Sequence, residues 1–329
     1  MAQPPRIGVV VSSVAGATPT QSTIHLIEAA LNDGYAVEVI EPWDFEIDEH
    51  SRPCARVHRL DPQDLGADTT REQIVALLRQ RLAPRRSVRL QGQTALLLRA
   101  NPLNGTILTF ALLAEAAGVP VRNRPGDLLR ASHKAWLATL ADVPRPRTLV
   151  TRALSAVERF ASACDGVVLK PARASGGRGV SRVHGQAGLE DALQAAIRAG
   201  DGYVVVQEYL RAASEGERRL LYLRGAGLLG GYLRVRAPGE FRHNLRLGAE
   251  PVPCPPDARD IALIAALTPH LDAAGVYFAG IDVIDGRVIE VNALNPGGIH
   301  YTAAFTGLPI ARTVMMCMVA PSSPQETPA

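Results

Sequence analysis

Cysteine is scarce. The 329 residues hold four, Cys54, Cys164, Cys254 and Cys317, with no two closely spaced. That excludes a disulfide framework and a zinc ribbon, and it favours free thiols in a reducing compartment, so the expected location is cytoplasmic. Aromatic residues make up 5% of the chain. The basic stretch Arg79, Arg81, Arg85, Arg86, Arg89 therefore lacks the interleaved rings of a single-strand nucleic-acid groove and reads as a solvated helix end. A net charge of +3 is too small to imply nucleic acid, though it suits anionic small molecules. No apolar run reaches the ~18 to 20 residues that cross a bilayer. The opening Arg6-Ile-Gly-Val-Val-Val11 is short for a signal-peptide core and reads as a strand. Walker A, G-x-S-x-G and H-E-x-x-H patterns are all absent, so no motif marks a P-loop ATPase, an α/β-hydrolase or a zincin.

What is present is an ordinary globular composition, 47% hydrophobic and 20% charged, in a chain long enough for two or three lobes. Residues 6–40 alternate strand, helix and strand, which favours a parallel sheet with flanking helices. Strands at Thr94–Leu98 and Val119–Asn123, with a helix over Gly105–Ala117 between them, complete an N-terminal α/β lobe spanning 1–126. A central lobe, 127–203, reads as a helix over Ser132–Leu140, strands near Thr148 and Val167–Lys170, a glycine loop, and a helix over Leu189–Ala199. The last lobe, 204–320, contains hairpins, a helix over Asp257–Ala274, the hairpin Phe278–Asn292 and a short helix near Pro309–Val319. Residues 321–329 form a Pro-rich tail expected to be disordered. The fold class is α/β with α+β lobes.

Two segments carry chemistry. In Lys170-Pro-Ala-Arg-Ala-Ser-Gly-Gly-Arg-Gly-Val180 a strand delivers a lysine into a loop with Gly176, Gly177 and Gly179. Such a loop either cradles phosphate through backbone N–H groups or is a plain surface turn. In Phe278-Ala-Gly-Ile-Asp-Val-Ile-Asp-Gly-Arg-Val-Ile-Glu-Val-Asn292 each apolar strand carries an acid. These acids either share a divalent cation or line a solvated sheet face. Register separates the two. Asp282 lies across from Glu290 if the loop is Asp285-Gly-Arg287, or if a bulge has the same effect. A plain two-residue Asp-Gly turn puts them on opposite faces. The expectation is that they face one another. Gly225-Ala-Gly-Leu-Leu-Gly230 satisfies G-x-G-x-x-G but precedes a strand, so it reads as a glycine hairpin.

In order and spacing these segments resemble the ATP-grasp superfamily, and most closely bacterial glutathione synthetases. Ser132-His-Lys134-Ala-Trp resembles that family's first phosphate-binding lysine segment. Pro146-Arg-Thr-Leu-Val-Thr-Arg152 is similar to its P-x-T-L-V-T-R stretch, and Val168-Leu-Lys170-Pro resembles its second lysine strand. Gln207-Glu208-Tyr209-Leu210 looks like its adenine hinge, Gly216-Glu-Arg-Arg219-Leu like its substrate-side arginine, and Arg242-His-Asn244-Leu like its R-x-N-L element. Weaker echoes of the substrate segments are Gln21-Ser22-Thr23, Arg99-x-Asn-Pro102 and Asn123-Arg-Pro125. The closing Asn295-Pro-Gly297-Gly298 turn is a further substrate candidate.

The resemblance implies an ATP-grasp fold with an N-terminal parallel α/β domain, and an ATP-dependent carboxylate–amine ligase working through an acyl phosphate. It implies that Lys134, Lys170, Ser175, Gly176, Gly177 and the 207–210 hinge hold ATP. Asp282, Glu290 and Asn292 would hold two Mg²⁺, with Mn²⁺ an alternative. Arg219, Arg242 and Asn244 would act on the reacting groups, and Ser22, Arg99, Asn295, Gly297 and Gly298 would meet a small carboxylate or amine substrate. A homo-oligomer is admitted; nucleic acid and membrane are not expected. Ala100 and Asn101 replace a usual Lys-Asp, the Gly-Gly-Arg tract after Asn244 is altered, and Asn295–Gly298 replaces Ser-Pro-Thr. The resemblance is thus fuller for the nucleotide than for the organic substrates. The alternatives are a nucleotide-binding regulatory protein of the same fold and a phosphotransferase.

Overall fold

A computed structural model of the protein describes residues 4–64, 69–80, 86–174 and 176–320. The tail expected at 321–329, Arg81, Arg85 and the loop residue Ser175 lie outside the described residues. The chain folds as two compact units, Met1–Leu128 with Gly275–Phe278 and Leu294–Ala329, and Leu129–Ala274 with Ala279–Ala293.

In the first unit the strands are β1 (Arg6–Val10), β2 (Ala36–Ile40), β3 (Phe45–Ile47), β4 (Pro53–Leu60), β5 (Arg86–Arg89), β6 (Ala95–Leu98) and β7 (Val121–Arg122). Its helices before residue 128 are α1 (Ser22–Asn32), α2 (Arg71–Gln80) and α3 (Gly105–Ala116); α4 (Pro125–Ala131) follows. The sheet order is β3-β4-β2-β1-β6-β7, with β5 paired to β4. The expected parallel core is there, since β1 pairs in parallel with β2 and β6, and β6 with β7. Strand β4 adds an antiparallel edge shared by β3 and β5.

One polar cluster inside this sheet explains a glycine in its central strand. Glu38 on β2 is fully buried, and its carboxylate accepts from Gln93 Nε2 at 2.7 Å and Arg6 Nη1 at 3.2 Å. Gly8 sits beside Glu38 in the register, and a Cβ there would come within 2.5 Å of Gln93 Oε1 and 2.6 Å of Leu96 Cδ1. Glycine weakens a strand, but here it leaves room for the amide that satisfies a buried carboxylate. Gly8→Ala is expected to lower stability by about 1–3 kcal/mol through overpacking, read as a fall in Tm or denaturant midpoint.

The second unit has two sheets. Helix α5 (Ala135–Ala138), β8 (Thr148–Thr151), α6 (Leu154–Ala161), β9 (Val167–Pro171), β10 (Ser181–Val183), α7 (Leu189–Ala199) and β11 (Val204–Glu208) build a sheet of order β10-β9-β11-β8. Val157, Leu193 and Ala196 of the helices pack on Leu169, Val204 and Val206. Strand β11, placed by the sequence with the following lobe, pairs here with both β9 and β8. The helix expected over Ser132–Leu140 is only the single turn α5.

Strands β12 (Glu217–Leu223), β13 (Gly227–Val235), β14 (Glu250–Val252), β15 (Phe278–Ile284) and β16 (Arg287–Asn292) form a sheet of order β14-β13-β12-β15-β16, with α8 (Ala258–Ala273) alongside. The G-x-G-x-x-G segment is indeed a hairpin, in which Gly225 in the turn and Gly227 at the start of β13 take φ of 78° and 72°. The chain then returns to the first unit as α9 (Ile299–Thr306) and α10 (Ile310–Val319), and α10 packs on α1.

Candidate active site

The β15–β16 hairpin decides where its acids point. Its turn is the two-residue Asp285-Gly286, both with positive φ (48° and 66°), as a tight right-twisted hairpin requires. Ile284 pairs with Arg287 and Val283 with Val288, which alone would put Asp282 and Glu290 on opposite faces. A bulge after that pair shifts the ladder by one residue and sets Asp282 directly across from Glu290. Asn292 is two residues further along, on the same face, and its Nδ2 donates to Asp282 Oδ2 at 3.0 Å. Of the two routes expected to give this pairing, a three-residue loop or a bulge, the hairpin takes the bulge.

Two ammonium groups meet this face. Lys170, delivered by β9, is buried and donates from Nζ to Ile289 O at 3.0 Å. Burial depresses its pKa, and the neighbouring Glu290 charge opposes the shift. Lys134 precedes α5; its N–H donates to Ala172 O at 3.1 Å, and its Nζ lies 3.4 Å from Glu290 Oε1. Burial raises the pKa of Glu290, but Lys134, Lys170 and Arg219 together hold it below the ordinary carboxylate value.

Arg219 on β12 faces Asp282 as a fork. Nη2 donates to Oδ2 at 3.1 Å, and Nε lies 2.7 Å from Oδ1 but off the hydrogen-bond axis. Gly280 makes this approach possible, since a Cβ there would fall 2.6 Å from Arg219 Nη1. Arg234 on β13, directly across from Glu217, bonds both Glu217 and Asp282. Burial pushes the Glu217 carboxyl up to about 7 despite Arg234. Neither Arg234 nor Glu217 was singled out in the sequence. The available signal was a charge alternating with Tyr232 on an otherwise apolar strand.

These groups line one cleft in the second unit, of about 1050 Å³ including open solvent. The hinge residues Gln207, Glu208, Tyr209 and Leu210 line it too, as do Gly176, Gly177, Arg242 and Asn244. Gln207 Nε2 donates to Thr148 Oγ1 at 3.3 Å. Glu208 Oε1 already accepts from Arg147 N and Arg287 Nη1, so its carboxylate is engaged. Arg242 is paired through two nitrogens with Glu240, and Asn244 Oδ1 accepts from the N–H of Arg246. Ser175 is outside the described residues.

The substrate candidates come together separately, in the first unit. Ser22 Oγ accepts from the N–H groups of Gly298 and Ile299 at the start of α9, which makes it a cap for that helix. Arg99 is buried, donates to Thr23 Oγ1 and to Pro296 O, and has its pKa lowered to about 9 by burial. Asn295 is half-buried and Gly297 exposed in the same turn. His25 and His300 lie beside them with ring nitrogens 3.2 Å apart, and burial drives His25 down to about 4.

Among the described residues, one group of three His, Cys, Asp or Glu side chains is close enough to share an ion: Glu41, Asp44 and His58, in the first unit. Asp44 is there ion-paired with Arg56 at 3.2 Å, and Glu41 accepts from Val14 N, so the group reads as a structural network. In the cleft, by contrast, two acids and an amide from one hairpin face adjoin two ammonium groups. Hard oxygen donors beside buried cations fit a Mg²⁺–polyphosphate.

Residues 134–307 match the family model described as prokaryotic glutathione synthetase, ATP-grasp domain. The chain belongs to this family. It is 39% identical over 204 residues to the glutathione synthetase of Prochlorococcus marinus (strain MIT 9313), covering 62% of this chain and 66% of that one. With the glutathione synthetase of Synechococcus elongatus (strain ATCC 33912 / PCC 7942 / FACHB-805) it shares 28% identity over 312 residues, covering 93% and 95% of the two chains. The crystal structure of D-cycloserine synthetase DcsG superposes with a TM-score of 0.68 at 18% identity, covering 95% of this chain and 98% of that one, which shows a common fold. This prokaryotic glutathione synthetase-type protein is an ATP-dependent ligase that forms C–N bonds, in a family that uses ATP with Mg²⁺. Among the described residues no helix is long and apolar enough to cross a membrane.

Proposed function

We propose that the protein joins a γ-glutamyl or related amino-acid carboxylate to a small amine such as glycine, in the cytoplasm. The observation that carries this reading is the convergence of Asp282, Glu290 and Asn292 on one hairpin face beside Lys134 and Lys170.

Carboxylate oxygen is a poor leaving group. Moving the γ-phosphoryl of ATP onto it gives an acyl phosphate, which an amine then attacks with loss of phosphate. Positioning and charge compensation supply most of the catalysis. In this reading Lys134 and Lys170 hold the nucleotide's phosphates. The backbone of Gln207–Leu210 receives the base, with Glu208 fixing that segment through Arg147 and Arg287. Asp282, Glu290 and Asn292 would hold two Mg²⁺ or, in substitution, Mn²⁺, which would supply charge neutralisation for the transferring phosphoryl group. Arg219 orients Asp282, and its planar guanidinium can also pair a carboxylate. Arg242 and Asn244 face the same cleft opposite the glycine loop. Arg99, Asn295, Gly297 and Gly298 are assigned to an organic substrate, with Ser22 shaping that turn by capping α9.

The lobes follow the same reading: a substrate lobe at 1–126 that takes back the chain from Leu294 to 320, a lid lobe from 127 extended to Glu208 by β11, and a metal-bearing lobe that ends at Ala293. Four free cysteines agree with a reducing compartment.

The test is ADP release over a matrix of γ-glutamyl peptides and amino acids. ADP is expected only when a carboxylate and an amine are both supplied, with an amide forming in step. A phosphorylated product without an amine requirement would replace the ligase with a phosphotransferase. Nucleotide binding without turnover across the matrix would make the protein a regulatory member of the fold.

A further inference from the structure

One carboxylate beside the cleft has no role in the reading above, yet both of its oxygens are engaged. Glu240 Oε1 accepts from the backbone N–H of Phe241 at 2.9 Å, from that of Arg242 at 3.0 Å, and from Arg242 Nε at 2.9 Å. Its Oε2 accepts from Arg242 Nη2 at 2.7 Å. The guanidinium is thus gripped along one edge by a two-point pairing, the geometry in which an arginine is most firmly oriented. Its remaining nitrogen, Nη1, donates to Gly177 O at 3.0 Å. Gly177 has φ of 74°, and a Cβ there would lie 3.5 Å from Arg242 Cδ and 3.7 Å from Asn244 Nδ2, so the two segments already touch. Gly177, Phe241, Arg242 and Asn244 all line the cleft.

We propose that Glu240 is a positioning residue that holds Arg242 against the carbonyl of Gly177 and thereby joins two walls of the cleft. An arginine neutralised along one edge is poorly placed to attract an anion. It is well placed to carry a directed bond from its other end. The hydrogen bonds from Arg242 hold the Glu240 carboxyl down at about 2, so the brace stays charged throughout the neutral range. In function the brace keeps water from the reacting groups, because a wetted acyl phosphate is hydrolysed and its ATP is spent without an amide. This last consequence rests on the ligase reading; the brace itself does not.

Two measurements on Glu240→Gln separate the brace from that reading. The first is tryptic cleavage after Arg178, an exposed residue next to Gly177. Opening the brace should speed this cut by about tenfold, a factor within reach of one lost charge-assisted pairing. Cleavage after the exposed Arg211 should keep its parental rate. Glu240→Asp, which retains charge but shortens the reach, should fall between the parent and Glu240→Gln. Unchanged cutting at Arg178, or equal acceleration at both sites, overturns the proposal. The second is the ratio of ADP to amide under saturating substrates, expected to rise by about twofold or more while the KM for the amine changes little. A parental ratio alongside faster Arg178 cleavage would retain the brace and overturn its part in excluding water. If the parent itself makes no amide, the ligase reading fails while the cleavage arm still decides on the brace.

Discussion

Asp282→Ala is expected to lower kcat/KM by ~10³-fold or more, the scale of removing a group that compensates transition-state charge. The same substitution should also destabilise the fold, for a separate reason. Asp282 is buried and is shared by the Arg219 and Arg234 guanidiniums, with Asn292 as a further donor. Removing one partner from a buried ionic network typically costs about 3–5 kcal/mol, since the charges left behind remain desolvated. Arg234 retains Glu217, which limits the damage on one side. Asp282→Asn separates the two effects: it preserves volume and one acceptor oxygen but removes the charge a divalent cation needs. Its turnover should stay near that of the alanine variant while its Tm recovers part of the loss. Glu290→Gln should behave alike in turnover. Rates within ~10-fold of the parent for either isosteric variant would remove the metal assignment.

The parallel core of the first unit was legible because its strands are bounded by turn residues and its helices keep a helical period. Arg6–Val11 and Thr94–Leu98 fall within a residue of β1 and β6, and the second strand expected within residues 6–40 is β2. The antiparallel edge was not. Strand β4 reads Pro-Cys-Ala-Arg-Val-His-Arg-Leu and alternates burial irregularly, because its two halves have different neighbours, β3 and β5 in one and β2 in the other. Helix α9 was missed as well. Its N-terminus is capped by Ser22, a residue 276 positions away, rather than by a local Ser, Asp or Asn. A cap supplied from another element leaves no local signature.

In the site, residue types and spacing carried the cross-strand pairing of Asp282 with Glu290 but left open whether a three-residue loop or a bulge produces it. The Asp-Gly pair does form the two-residue turn that its sequence favours, and the register is restored by a bulge that no residue type announces. The roles of Arg219 and Arg242 were legible only as positive charges near phosphate. The carboxylates that hold them, Asp282 across the sheet and Glu240 two residues upstream, could be paired with them only once the backbone was in place. Ser22 shows the same limit: a hydroxyl near a substrate turn is also the residue that builds the turn.

Lys170→Met should cost activity and add stability. Loss of the ammonium is expected to reduce kcat/KM for ATP by about 10²- to 10³-fold, as for removal of a preorganised charge from a phosphate site. In the ligand-free protein the same charge is a burden. Lys170 is buried, its nitrogen donates to a single carbonyl among the described residues, and desolvation outweighs the attraction of Glu290, which keeps Lys134 as a closer partner. A lysine whose folded pKa lies below its unfolded value carries the whole penalty on folding at any pH below the folded pKa. The penalty shrinks as pH rises through the folded pKa and is gone above the unfolded value of 10.5. Methionine fills similar volume without charge, so Tm at pH 7 should rise by about 2 °C or more. Measured from pH 7 upwards, the gap between variant and parent should close as pH approaches 10.5, with other groups cancelling in the difference. A variant less stable than its parent at pH 7, with the gap unchanged by pH, would mean that Lys170 is held by its ion-pair partners and is not strained by burial. The site would then be built for its own stability before any phosphate arrives.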